Sequence, residues 1–192
     1  MAAVASTMRD LGTPAGDFSL PDVSNQNRLV QRADFDGQPL LVMFICNHCP
    51  YVLHVIKPLV EIANKAQSDG FGVVAISAND VDTYPQDGPD LMHRFATQYG
   101  FAFPYLFDAT QAVAKAYRAA CTPDFFVYSR QHRLQYRGQM DASRPSNNHP
   151  VDGCDLSAAL DAVLAEKPTT EKQVPSIGCN IKWRPGNEPD YF

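Results

Sequence analysis

Cys46-Asn47-His48-Cys49 is the segment of this chain whose residue types and spacing are best suited to chemistry. Two thiols three positions apart can cycle between dithiol and disulfide when they lie at the start of a helix. There the free backbone N–H groups and the helix dipole stabilise an anion, drawing a thiol pKa from about 8.5 toward about 7 or below. Cys46 is expected to be the more exposed sulfur and the attacking thiolate, with Cys49, one turn further in, resolving the mixed disulfide. A protonated His48 between them would add positive influence and make the disulfide more oxidising. Two other readings of the pair stay open. One is half of a metal site, although no second CxxC or HxxxH follows at finger spacing. The other is two buried structural cysteines.

The surrounding pattern supplies the strand and the helix that this chemistry needs. Leu40 to Ile45 is an unbroken apolar run, short enough for a strand buried on both faces. From Pro50 to about Ala66, residues Val52, Val55, Ile56, Leu59, Val60 and Ile62 recur at helical spacing, and Gly70 marks the stop. A second strand is expected over 71–77, then a polar loop over 79–90, a helix over 91–99, a strand over 104–107 and a helix over 111–120. Residues 124–129 and 134–138 read as an antiparallel hairpin, and 156–166 as a final amphipathic helix. Ahead of these, 18–22 and 28–30 suggest a small hairpin. The Pro-rich segment after 168 has little periodicity and is expected to wrap the surface irregularly. These alternating units give one α/β domain over residues 1–167, with 168–192 as a tail packed on it.

Composition narrows the partners. The chain has 192 residues, 45% hydrophobic content and a formal net charge of −5, with 16 Lys and Arg spread along it. No basic footprint for nucleic acid and no run of roughly 20 apolar residues for a membrane is present. The N-terminal residues lack a basic start followed by a long apolar block, so a cytoplasmic location is expected. Five cysteines, an odd number with wide gaps, suit a reducing compartment better than a disulfide-stapled scaffold. Oligomeric state has no sequence signal, and neither a cofactor nor a resident metal is called for.

A family resemblance rests on several strings. A strand, a CxxC, a helix containing Pro58 and a distant Thr122-Pro123 before a hairpin resemble the thioredoxin layout. Pro58 lies four residues further from the cysteines than in thioredoxins, one added helical turn. The front end, Gly16-Asp17-Phe18-Ser19-Leu20-Pro21-Asp22-Val23, resembles the opening of peroxiredoxins and of the alkyl hydroperoxide reductase/thiol-specific antioxidant (AhpC/TSA) group. Together with Asp82-Thr83-Tyr84-Pro85, Cys121-Thr122-Pro123-Asp124, Asp141-Ala142-Ser143-Arg144-Pro145 and Gly178-Cys179-Asn180-Ile181-Lys182-Trp183, the chain resembles peroxiredoxin-like thioredoxin family proteins. The resemblance implies a thioredoxin-like α/β fold: a mixed central sheet flanked by helices, an extra N-terminal hairpin and an irregular tail. It also implies a cis bond at Pro123, with Asn47, Thr122 and Pro123 receiving substrate.

Departures from these families separate the possible activities. Cys49-Pro50 occupies the place of the peroxidatic Cys and its Pro, yet Cys46 stands where the peroxide-binding Thr belongs and Val42 where that motif's Pro belongs. Thr122-Pro123 occupies the region expected to supply the peroxidatic Arg. Leu40 replaces the buried Asp of thioredoxins and Ile45 the Trp before the first Cys, so the resolving thiol has no assigned proton path. Thiol-disulfide exchange with a protein or small-molecule thiol or disulfide is therefore the first expectation. A thiol peroxidase using Cys49 is the second, with peroxides as substrate, and a metallochaperone module with His48 or His149 as nitrogen ligand is the third. Cys121 and Cys179 are candidate auxiliary thiols, while Cys154 and His54 read as incidental. Asp80 and Asp82 either line the cleft or sit in a solvated loop.

Overall fold

A computed structural model describes residues 3–191. Its strands and helices, in chain order, are β1 (Ala3–Ala5), β2 (Ser19–Asp22), β3 (Arg28–Gln31), β4 (Leu40–Phe44), α1 (Pro50–Ser68), β5 (Gly72–Ser77), α2 (Pro89–Tyr99) and β6 (Tyr105–Phe107), followed by α3 (Ala112–Tyr117), β7 (Cys121–Thr122), β8 (Asp124–Tyr128), β9 (Leu134–Gly138), α4 (Cys154–Leu164) and β10 (Ile177–Asn180). Seven strands form a mixed sheet in the order β3-β2-β6-β5-β4-β8-β9. Its centre, β4-β5-β6, is parallel, and β8 and β9 continue it antiparallel. The N-terminal hairpin β2-β3 joins the far edge where Asp22 pairs with Leu106.

The apolar runs at the sheet centre serve two cores at once, because successive strand residues face opposite sides. Leu41, Met43, Val73, Ala75, Phe125 and Val127 face the core that includes α1, α2 and α4. Leu40, Val42, Phe44, Val74, Ile76 and Phe126 face the second core, closed by α3, Phe18, Val30 and Trp183. Helix α1 places Val52, Val55, Ile56, Leu59, Val60 and Ala63 against the sheet and continues through Pro58. Having no N–H, Pro58 leaves the His54 carbonyl without its helical donor.

Two expectations need correcting. The helix expected over 111–120 covers only Ala112–Tyr117, because Arg118 turns left-handed (φ 53°) and sends 121–122 into a strand. The tail after 168 is mostly irregular as expected, but it also contains β10. That strand pairs with β7 on one side and β1 on the other, forming a second, three-stranded sheet. Gly178 permits this approach: a Cβ there would run into the Thr122 carbonyl. Pairing with strands 55 or more residues distant leaves no local periodicity to read.

Arg137 and Asp124, neighbours across β8-β9, form a fully buried ion pair that the sequence pattern did not suggest (Nη2–Oδ2 3.1 Å). Ser6 Oγ donates to the other Asp124 oxygen at 2.9 Å, and the guanidinium lies 4.5 Å from the Phe126 ring centre. Removing one partner of such a pair strands the other. Arg137→Met is expected to cost about 3–5 kcal/mol of stability, seen as a lower denaturation midpoint at unchanged slope.

Candidate active site

The end of β4 delivers the chain to Cys46, and Cys49 is the N-cap of α1, with Pro50 at the first helical position. Residues 45–49 make a short passage from a buried strand to a helix N-terminus at the carboxyl end of the parallel strands. Across from it, β7 presents Thr122, followed by the cis Thr122–Pro123 bond that the resemblance implied. Thr122 holds both sulfurs. When protonated, the Cys49 thiol donates to its carbonyl at 3.1 Å, and Cys46 Sγ lies 3.5 Å from its hydroxyl.

Cys46 is not the exposed member of the pair: Cys46 is 1% and Cys49 0% accessible. Strand β10 brings a third sulfur to them, since Cys179 is the register partner of Thr122 and shares the core cluster of Cys46 and Cys49. The cluster directs negative charge to Cys49. Hydrogen bonds from the thiols of Cys179 and Cys46, and from the Val52 N–H, lower the Cys49 pKa against the opposing effect of burial. Cys46 is pushed well up by its hydrogen bond to Cys49, by burial and by the charge of Asp87. Cys179 is raised, again chiefly by its hydrogen bond to Cys49. The lowering falls on Cys49 rather than Cys46, because Cys49 is the sulfur at the helix N-terminus with two thiols to donate to it.

Asp87 is the site residue that sequence reasoning missed. A 3₁₀ turn over Pro85–Asp87 turns it fully inward. Its carboxylate accepts from the Asn47 backbone N–H at 2.9 Å, Asn79 Nδ2 at 2.8 Å and His48 Nδ1 at 2.6 Å. Since a carboxylate only accepts, Nδ1 carries a ring proton. Nε2 is buried and has no hydrogen-bond partner among the described residues. The imidazole stacks on Tyr84 with ring centres 5.5 Å apart and 4° between planes. Asn47 is fixed in turn by Tyr105 Oη on its Oδ1 (3.1 Å) and by its Nδ2 donating to the Gln86 carbonyl (2.9 Å). The tail closes this loop over the thiols, with Lys182 N donating to Asn79 Oδ1 at 2.9 Å.

The other candidates fall elsewhere. Asp80 caps its own turn, accepting from Thr83 Oγ1 and the Asp82 N–H, while Asp82 is exposed. Cys121 is buried with its thiol directed at the Pro123 and Ser176 carbonyls, and burial pushes its pKa well up. Cys154 is exposed at the start of α4, and its pKa is pushed up to about 11, first by the Asp152 hydrogen bond. His54 Nε2 bonds Ser143 Oγ at 2.8 Å, and His149 is exposed. The backbone edge of Thr122 expected to receive a substrate strand is already paired with β10. For a metal, Cys46, His48 and Asp87 offer donor atoms within 4.8 Å of one another. Asp87 already accepts three N–H bonds there, so a cation would compete with Asn47, His48 and Asn79 for it. A cavity of about 1260 Å³ is at the opposite end of the strands, around Gly72 and Pro104.

Comparison with known proteins places this geometry. Residues 11–137 match the model of the AhpC/TSA family. The chain is 49% identical to an uncharacterized conserved protein from Geobacillus kaustophilus (TM-score 0.93, covering 96% of this chain and 98% of that one). It is also 49% identical to a hypothetical protein from Sinorhizobium meliloti 1021 (TM-score 0.90, 94% and 98% covered). At 18% identity it shares its fold with a thioredoxin-family thiol:disulfide interchange protein from Chlorobium tepidum TLS (TM-score 0.62, 82% and 99% covered). No curated protein matches it. Among the described residues, no helix is long and apolar enough to cross a membrane.

Proposed function

The chain belongs to the AhpC/TSA family, and we propose that it is a thiol-disulfide oxidoreductase whose working pair is Cys46 and Cys49. The observation that carries this reading is Thr122, which holds both sulfurs at once beside a helix N-terminus. Two thiols held on one residue are pre-organised to join, and the single charge they share keeps one of them nucleophilic.

The shared proton supplies the path that the missing thioredoxin Asp leaves open. In this reading Cys49, whose pKa the neighbouring thiols lower, is the thiolate at rest and Cys46 the thiol that donates to it. As Cys46 attacks one sulfur of a partner disulfide, its proton passes to Cys49. A Cys46–partner bond forms, the partner disulfide breaks, and the first thiol leaves with the proton from Cys49. Cys49, again a thiolate, then attacks Cys46 and releases the second half of the partner. The enzyme ends as a disulfide and the partner as one thiol and one thiolate, the latter taking its proton from solvent, with electrons balanced. His48 Nε2, its opposite nitrogen fixed by Asp87, is placed to take up or return a proton beside this exchange. Asn47, Thr122 and Pro123 frame the sulfurs on the partner's side. Because both sulfurs are almost fully buried, a disulfide partner reaches them only when the cover over the motif opens, and an extended peptide also requires β10 to yield the Thr122 edge.

One observation favours a second reading, a thiol peroxidase: the charge rests on Cys49, the sulfur at the helix N-terminus. Against it, Arg137 is tied to Asp124 and the Arg118 carbonyl rather than aimed at the sulfurs. Stopped-flow fluorescence of Trp183, the single Trp, separates the two. Slow oxidation by hydrogen peroxide with faster reaction toward a dithiol-linked disulfide is expected. Fast, Cys49-dependent peroxide consumption would overturn the preference for exchange.

A further inference from the structure

The tail string Gly178-Cys179-Asn180-Ile181-Lys182-Trp183 has no part in the two-thiol cycle, yet β10 threads it against the site. Thr122 accepts from Cys49 through its carbonyl, contacts Cys46 through its hydroxyl and faces Cys179 as its strand partner. Gly178 lets the two backbones close to a distance no side chain would allow. Cys179 is 3% accessible in the same core as the pair, and α1, which begins at Cys49, packs on β10. A hydrophobic position alone would not require that approach, nor a thiol hydrogen-bonded to Cys49.

Resting on the dithiol reading, we infer that Cys179 is a third redox sulfur, which takes the disulfide from Cys46 by internal exchange and leaves Cys46 free. The Cys179 thiolate attacks the Cys49 sulfur of the Cys46–Cys49 disulfide. The Cys49–Cys179 bond forms as the Cys46–Cys49 bond breaks, and the electron pair leaves on Cys46. The proton that Cys179 gives up ends on Cys46, so nothing external is oxidised or reduced. Oxidation of the pair removes the Cys49 charge that holds the Cys179 proton in the reduced form, and the Lys182 ammonium favours the Cys179 thiolate. The tail thus works as an internal partner: it stores the oxidised state inside the fold and restores an attacking thiol at Cys46. Because β10 also covers the Thr122 edge, the linked form keeps that edge closed to an extended protein partner.

Oxidised glutathione and disulfide mapping by mass spectrometry test this in a Cys154→Ser background, which removes the exposed thiol. Cys46→Ser is expected to take glutathione on Cys49 and then release it as Cys49–Cys179 forms. Adding Cys179→Ala should trap the glutathione adduct and slow its release at least about 10-fold. A stable adduct in Cys46→Ser alone, matching that of the Cys179→Ala form, would overturn the inference. If Cys179→Ala unfolds the chain, Cys179→Ser serves in its place, with circular dichroism confirming the fold. With all three thiols present, the expected product is a mixture of Cys46–Cys49 and Cys49–Cys179 linkages, the second marked by alkylation of Cys46. Cys46–Cys49 alone would refute only the third sulfur, whereas no Cys46–Cys49 linkage at all would refute the dithiol reading beneath it.

Discussion

Cys49→Ser is expected to lower the rate of insulin disulfide reduction by about 10³-fold or more while leaving a partner covalently held on Cys46. The loss has two sources. Cys49 accepts the proton of Cys46 in the first step, and it is the only sulfur positioned to displace the partner from Cys46 in the second. A serine hydroxyl can still donate to the Thr122 carbonyl, so the change removes chemistry more than packing. Cys46→Ser should abolish turnover to a similar degree but trap no protein partner, because Cys46 is the sulfur that attacks the partner disulfide in this mechanism. Acid-quenched alkylation and mass analysis distinguish the two variants. Equal trapping on both sulfurs would contradict the order of attack.

Asp87→Asn is expected to slow the same reaction about 100-fold at neutral pH, the scale on which misplacing a catalytic group is felt. Asp87 Oδ2 accepts from both His48 and Asn79 and Oδ1 from the Asn47 N–H, so the amide of an Asn must face either the Asn47 N–H or the His48 and Asn79 donors together. Leaving donor opposed to donor should also cost about 1–3 kcal/mol of stability. The pH behaviour gives a sign that general loosening would not. Asp87 raises the Cys46 pKa by opposing a second negative charge beside it. Removing that charge lowers the Cys46 pKa, so Cys46 should become alkylatable at lower pH even as turnover falls. The rate of iodoacetamide labelling at Cys46 against pH reads this, and an upward shift would contradict the placement of the charge.

What the sequence disclosed and what it hid divide along one physical line. The CxxC, the buried strand before it and the amphipathic helix after it depend on neighbours within a few residues, and their periodicities are local. So are the hairpin of β8 and β9 and the helix-compatible placement of Pro58. Asp87 was not legible. The loop over 79–90 offers Asp80, Asp82, Asp87 and Asp90, and closeness to the strand end favours the first two. Only the 3₁₀ turn at Pro85 and the donors of Asn47, His48 and Asn79 select the third, and two of those donors, Asn47 and His48, arrive from about 40 residues away. Strand β10 was hidden for the same reason, since its partners are β1 and β7 and Gly178 reads as a breaker until the Thr122 carbonyl is beside it. The exposure expected of Cys46 failed because that tail, together with Tyr84 and His48, closes over the motif.

The account stands most directly on whether Cys46 and Cys49 form a reversible couple. Equilibrating the reduced Cys179→Ser chain with glutathione buffers of graded potential, quenching in acid and mapping the linkages measures this for the pair alone. A cooperative two-electron transition is expected, tenfold in ratio per about 30 mV, with Cys46 and Cys49 losing their thiols together and recovering them on reduction. Thiols that persist across the whole range, or a Cys49 oxidised irreversibly while Cys46 stays free, would contradict it.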